Sequence, residues 1–103
     1  MQVIWKFKLR PAPDVNEFEL PRGAQVLTVQ VQRGEPHMWV LCDPSPTAPK
    51  TLRRFVVVGT GHEFELPNFE LSNGPVMFNG YVGTFQLEGG ALVFHVFEVT
   101  GGA

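Results

Sequence analysis

The sequence predicts an all-β fold of about seven short, mostly antiparallel strands in a small sandwich or barrel, with little or no helix. Three observations support this class. Apolar and polar residues alternate in several short runs, as they do in half-buried strands. The 103 residues include 11 Gly and 9 Pro, which favour turns over long helices. No window of about ten residues combines helical periodicity with capping residues.

The first four strands are predicted at residues 3–9, 16–20, 25–33 and 37–42. The first alternates and is ended by PAPD, and the second, NEFEL, is ended by PRG. The third alternates most clearly, with Leu27, Val29 and Val31 predicted on one face. Gly34 then supplies a hairpin turn into HMWVLC, which is apolar on both faces and is therefore predicted to be central.

The remaining strands are predicted at residues 53–58, 81–87 and 91–99. They follow a proline-rich stretch, DPSPTAPK, that must be a surface loop. Residues 62–80 are turn-rich and fit no single strand. The last strand, ALVFHVFEV, is apolar on both faces, so it is predicted to lie inside a sheet or to face another subunit.

Length and aromatic content predict one domain over residues 1–99, followed by a disordered tail at 100–103. Nine Phe, two Trp and one Tyr supply bulky side chains with which a chain of this size can build a core.

Charge and cysteine content exclude several classes of function. The net charge is −2 and the Lys and Arg residues are scattered, so no extended nucleic acid is expected as a partner. The single cysteine, Cys42, cannot form an intrachain disulfide, which favours an intracellular protein. The N-terminus alternates where a signal peptide would be continuously apolar, and no apolar run approaches the roughly 20 residues of a membrane span. We expect no membrane association and a location in the cytoplasm.

His95 raises the question of a ligand or base, because it lies among valines and phenylalanines. A neutral, hydrogen-bonded histidine is the favoured interpretation, since a metal site needs several converging donors. His37, His62 and His95 lie on separate segments without any paired metal-ligand spacing. Neither a metal nor another cofactor is predicted.

The motif GTGHE after the fifth predicted strand is the most site-like stretch. Backbone amides of a glycine turn can form an anion-binding nest, and two arginines precede this one. The candidate ligand-binding residues are Arg53, Arg54, Gly59, Thr60, Gly61 and His62. A plain turn is the favoured alternative, because neither a phosphate-binding motif nor a helix follows.

Catalysis is not predicted. Ser45 and Ser72 lie in loops without a nucleophile-elbow motif. Cys42 ends an apolar strand with no adjacent base, which favours an inert buried thiol. The glutamates of the EFEL runs alternate with apolar residues, as solvent-facing strand positions do. The chain is therefore expected not to be an enzyme.

Residues 64–80 hold more apolar side chains than a turn-rich connection needs. The candidate interface residues there are Phe64, Phe69, Met77 and Phe78. They either cap one end of the fold or form a patch that a partner covers. A second copy of the chain would cover both such a patch and the exposed strand edges, so a homo-oligomer is expected.

Several blocks together resemble a family of short hypothetical proteins of tailed bacteriophages and prophages. These blocks are IWKF (4–7), LPRGAQVLTVQVQ (20–32), WVLCDP (39–44), RRFVVVGTGHEF (53–64) and YVGTFQLEGGALVFHVFE (81–98). Residues 65–80 depart from the shorter, more polar connection of that family. The resemblance implies a phage accessory protein in the cytoplasm of a bacterial host, and it transfers no functional residues.

The leading hypothesis is a small phage-encoded, non-enzymatic binding protein that acts against host defences through protein–protein contacts, with a host protein as partner. One alternative is a sponge for nucleotide signals, in which the GTGH turn with Arg53 and Arg54 would hold phosphates while Trp or Phe stacks on a base. Another is a small virion or assembly component.

Overall fold

Eight strands and one turn of 3-10 helix make up the regular structure of the described residues. The computed structural model describes residues 1–11, 15–63, 69–71 and 80–101. The strands are β1 (Val3–Lys8), β2 (Val15–Pro21), β3 (Gln25–Gln32), β4 (Glu35–Cys42), β5 (Lys50–Gly59), β6 (Phe69–Leu71), β7 (Tyr81–Leu87) and β8 (Leu92–Gly101). The 3-10 turn spans Glu88–Gly90 and joins β7 to β8.

The strands form two antiparallel sheets. The three-stranded sheet has the order β1-β4-β3, and the five-stranded sheet has the order β2-β5-β8-β6, with β7 also paired to β8. Strands β6 and β7 pair with different parts of β8 along the same edge, Leu71 opposite Val99 and Tyr81 opposite Phe97. The sequence prediction of a small all-β sandwich or barrel is confirmed, and the two packed sheets make it a sandwich.

The core lies between the two sheets. Seven side chains with no more than 1% of their surface exposed form its centre: Leu9, Leu20, Met38, Val40, Phe55, Val57 and Val96. A series of aromatic rings crosses from one sheet to the other, with Phe7 and Phe18 at 5.1 Å and Phe18 and Phe55 at 6.2 Å between centroids. Burial of these apolar side chains is the main stabilising contribution.

Asn16 is the buried polar residue in the part of the core that the structure describes, and its side chain is hydrogen-bonded. Its Oδ1 accepts from the backbone N–H of Arg10 at 2.7 Å, and its Nδ2 donates to the carbonyl of Arg10 at 3.0 Å. These bonds tie the segment after β1 in the three-stranded sheet to β2 in the other sheet.

Strands β4 and β8 have the central positions that their apolar character predicted. β4 lies between β1 and β3, and β8 lies between β5 and the strands β6 and β7. The β3–β4 hairpin turns at Arg33 and Gly34, which have φ of +54° and +77°. Two positive φ values in a two-residue hairpin are typical of a type I′ turn.

Strand β3 differs from its predicted alternation at Leu27. The register with β4 shifts between Val26 and Thr28, which marks a β-bulge. Val26 packs against the core, whereas Leu27 is 45% exposed and does not share the inward face of Val29. The bulge therefore turns a leucine towards solvent.

The predicted boundaries shift by a few residues. β5 begins at Lys50, in what was predicted to be loop, and β8 continues to Gly101, two residues past the predicted domain end. Within residues 62–80 the structure adds β6. The described part of the chain contains no helix with the length and apolar character of a membrane span.

Candidate binding surfaces

The GTGH turn uses two of its backbone amides inside the fold. The N–H of Thr60 donates to the carbonyl of Val93 at 3.0 Å, and the N–H of His62 donates to the carbonyl of Gly59 at 3.1 Å. These amides are therefore not available to an anion as part of a backbone nest. Gly59 is buried, and a Cβ built on it would lie 2.7 Å from Nδ1 of His62, so the turn needs glycine there while the imidazole stays in place.

His95 lies on the outer face of the five-stranded sheet, opposite the inward-facing side chain of Val96. Its Nε2 is 2.6 Å from Oγ1 of Thr60, and its Nδ1 is 3.1 Å from Oγ1 of Thr84. The hydroxyl of Thr84 also bonds to the hydroxyl of Tyr81. Both ring nitrogens thus have hydroxyl partners. His95 is therefore hydrogen-bonded, as the interpretation favoured from the sequence expected.

Arg53 and Arg54 point to opposite faces of β5, as adjacent residues in a strand must. Arg53 Nε and Nη2 donate to the carboxylate of Glu98 at 2.6 and 2.8 Å, and Nη1 donates to the carbonyl of Ala24 at 2.5 Å. The hydrogen bonds that the guanidinium donates to Glu98 raise the pKa of Arg53. Arg54 Nε donates to Glu17 at 2.8 Å. The two guanidinium groups do not converge on one site.

The predicted interface residues Phe64, Met77 and Phe78 lie outside the described residues. Phe69 is described as the first residue of β6. The side chain of Phe69 lies outside the part of the chain that the structure describes, as the other three residues do. The interface predicted for residues 64–80 remains a prediction.

Cys42 ends β4 with its side chain in the core, 2% exposed. Burial raises the pKa of its thiol, and the nearby carboxylate of Asp43 raises it further. The neutral thiol is therefore favoured over the reactive thiolate. Among the residues that the structure describes, no group of three or more His, Cys, Asp or Glu side chains could hold a metal ion.

An apolar patch lies on the outer face of the three-stranded sheet. We call Ile4, Leu27, Trp39 and Leu41 the outer-face patch. Trp39 and Leu41 alternate with Met38 and Val40, which are fully buried, so they point away from the core. Ile4 lies opposite Leu41 in the β1–β4 register and is 57% exposed, and the bulge adds Leu27. This patch combines a tryptophan with three aliphatic side chains, a composition typical of interface centres.

A groove with positively charged walls lies on the same face, at the end of the β3–β4 hairpin. We call it the cationic groove. It has a volume of about 310 Å³ and is lined by Lys6, Gln32, Arg33, Glu35 and His37. The side chain of Lys6 crosses over β4, and its Nζ donates to Oε1 of Gln32 at 2.7 Å. Nδ1 of His37 is 3.0 Å from the carbonyl of Glu35.

The carboxylate of Glu35 already has a cationic partner. Lys8 Nζ lies 2.8 Å from it. The hydrogen bond from Lys8, followed by its positive charge, lowers the pKa of Glu35, so the carboxylate stays ionised and paired. The groove and its rim thus carry three cationic side chains, Lys6, Lys8 and Arg33, against one carboxylate.

Comparison with protein families gives a match over the whole chain. The family model described as Domain of unknown function (DUF7352) matches residues 1–103. The chain belongs to this family. No curated protein and no solved structure matches it. Membership of DUF7352 brings no function with it.

Neither the outer-face patch nor the cationic groove was predicted from the sequence of this DUF7352 member. The residues of each come from two or three strands, and β1 meets β4 across sequence separations of 29 to 39 residues. One signal was present for the groove. Lys6 and Lys8 share the polar face of the first strand, and Arg33 stands in the predicted hairpin turn. Only the strand order brings these positions together.

Proposed function

We propose that this chain is a small non-enzymatic protein that binds a bacterial host protein through direct protein–protein contacts. Phage origin, a counter-defence role and action in the host cytoplasm are parts of the same proposal, and they rest on the sequence resemblance. The single observation that carries the protein-binding role is the outer-face patch. It exposes Ile4 and Leu27 at 57% and 45% on the sheet face that also carries Trp39 and Leu41.

The β-bulge strengthens the case for a binding surface. Without it, Leu27 would continue the alternation and face the core with Val29. Bulges often re-aim a side chain towards a functional surface. Exposed leucine brings no stability to an isolated chain, whereas it does contribute when a partner removes it from water.

The non-enzymatic part rests on how the polar side chains are used. His95 has threonine hydroxyls at both nitrogens, and the arginines of β5 are bonded to Glu98 and Glu17. These groups stabilise the sheets. Catalysis would instead be favoured by a nucleophile next to a base that a carboxylate orients.

A host-protein partner is tested by a pair of matched leucine substitutions. Leu27 and Leu52 are 45% and 44% exposed, and they lie on different sheets. The tagged chain is expressed in its bacterial host, cross-linked and purified. We expect Leu27→Ser to remove the co-purifying protein, and Leu52→Ser to keep it, since hot-spot side chains carry most of the binding energy.

Thermal unfolding of each variant shows whether it remains folded. We expect both variants to remain folded, because both leucines are surface residues whose replacement costs little stability. Equal loss of the partner in Leu52→Ser would contradict the proposal. So would recovery of no host protein with the unchanged chain.

A further inference from the structure

The cationic groove concentrates positive charge on a chain that is acidic as a whole. The net charge of the chain is −2, yet the groove and its rim hold Lys6, Lys8 and Arg33 against Glu35 alone. Lys8 is bonded to Glu35 at 2.8 Å, so Lys6 and Arg33 are the cations that remain for a ligand. Such a local excess attracts an anion small enough to enter the groove.

The donors of the groove are held in place before any ligand arrives. The ammonium of Lys6 donates one of its three N–H groups to Gln32. This bond places the ammonium over β4 and leaves two N–H groups for a ligand. Because a carbonyl only accepts, the contact between His37 Nδ1 and the carbonyl of Glu35 makes Nδ1 the donor. Prior positioning of this kind lowers the entropy that a ligand must lose on binding.

The backbone at Arg33 points to a functional reason for that residue. Arg33 has φ of +54°, a left-handed conformation in which arginine is strained and glycine or asparagine is favoured. A residue held in an unfavourable backbone region often serves a site. Here the residue lines the groove, and guanidinium groups bind phosphate through two parallel hydrogen bonds.

An aromatic surface adjoins the groove. Trp39 lies opposite Lys6 in the β1–β4 register, and its ring meets that of His37 edge-on at 5.9 Å between centroids. A planar organic group attached to a phosphate could therefore pack on Trp39 while the phosphate meets Lys6 and Arg33. The groove volume of about 310 Å³ is at the lower end of ligand pockets, which span roughly 300–1,000 Å³.

We propose that the cationic groove binds a nucleoside monophosphate, with its phosphate on Lys6 and Arg33 and its base against Trp39. This site differs from the GTGH turn with Arg53 and Arg54, where two of the amides and both guanidinium groups already have partners in the fold. The inference does not depend on the protein-binding role. It concerns the purified chain alone.

The test is a titration of the ¹⁵N-labelled chain with adenosine 5′-monophosphate, followed by amide chemical shifts. Parallel titrations use inorganic phosphate and adenosine. We expect saturable shifts confined to the amides of Lys6, residues 32–35 and residues 37–39, with a Kd below about 1 mM for the nucleotide and weaker binding of the two fragments. The affinity should fall as salt is added.

A matched pair of double variants removes the same charge from the groove and from elsewhere. Lys6→Gln with Arg33→Gln should weaken binding at least about tenfold, since two charge-assisted bonds are lost. Arg22→Gln with Lys50→Gln, both exposed outside the groove, should leave it unchanged. No saturable shift at about 10 mM nucleotide would overturn the proposal. Equal weakening by both doubles, or equal binding of phosphate alone, would also overturn it.

Discussion

Arg53 and Arg54 are chemically identical neighbours with different physical roles. The Arg53–Glu98 pair is mostly removed from water, with side-chain exposures of 20% and 17%, and it has two parallel bonds. The Arg54–Glu17 pair is more open, with exposures of 25% and 50%. Removing one member of a desolvated pair leaves the other charge buried and unpaired, which costs far more than opening a surface pair.

We therefore predict unequal effects of Arg53→Met and Arg54→Met, which keep the aliphatic stem and remove the charge. Arg53→Met should lower the free energy of unfolding by about 2–3 kcal/mol. Arg54→Met should change it by less than about 1 kcal/mol. Urea unfolding measures both. Adding Glu98→Gln to Arg53→Met should restore part of the loss, and equal effects of the two single variants would refute this assignment.

The same pair shows what a sequence can predict about a site. Alternation in a strand already places adjacent side chains on opposite faces. The pattern alone therefore argues against a joint phosphate site for Arg53 and Arg54. The pattern could not show that Glu98, 45 residues away, would bond Arg53. Pairing partners depend on strand order, and alternation within one strand carries no information about it.

At the scale of elements, alternation predicted the strands well and failed at the bulge. The run LTVQV alternates without interruption, so nothing in it indicates an extra residue. The register with β4 shows which residue is the extra one. Val26 opposes Val40 and Thr28 opposes Trp39, which leaves Leu27 without a place on the core face. The outer-face patch therefore could not be predicted, because its second leucine depends on a tertiary constraint.

At the β3–β4 turn, the residue type that best suits the backbone differs from the residue type that supplies a positive charge. Asparagine tolerates the left-handed conformation better than arginine, so Arg33→Asn should raise the free energy of unfolding by about 0.5–1 kcal/mol. The same change removes a phosphate ligand and should weaken nucleotide binding. Urea unfolding and the amide-shift titration measure the two effects on one protein.

A control for the turn is available at Arg22, which precedes Gly23 and is not among the residues with positive φ. Arg22→Asn should therefore bring no gain in stability and no loss of binding. If Arg33→Asn fails to stabilise the chain, the left-handed backbone at residue 33 does not carry the cost assigned to it.

The whole sandwich has two unlike sides. On one side β1 and β2 carry the charged residues Lys6, Lys8, Glu17 and Glu19. On the other side lie β3 and β7, which contain no charged residue in QVLTVQVQ or YVGTFQL. These two strands approach closely, since a Cβ built on Gly83 would lie 3.6 Å from Cβ of Val29. Charged edge strands resist pairing with another chain, and uncharged ones invite it.

Strand β3 is the better of the two uncharged edges for a second copy of the chain. Within the described residues it pairs with β4 alone, and after its bulge it runs regularly to Gln32. β7 has a register shift beside Gly83, which weakens an edge for pairing. Two β3 strands can pair antiparallel about a twofold axis without bringing like charges together, which would join two three-stranded sheets into one of six strands.

We propose that the chain forms such a dimer, and predict that a single edge lysine dissociates it. The unchanged chain should sediment at twice its 11.5 kDa at about 100 µM. Val31→Lys, at a position 37% exposed, should sediment as a monomer because an inward-pointing charge blocks edge pairing. Gln86→Lys puts the same charge on exposed β7 and should leave the dimer intact. A monomeric unchanged chain, or dissociation by Gln86→Lys alone, would rule out pairing through β3.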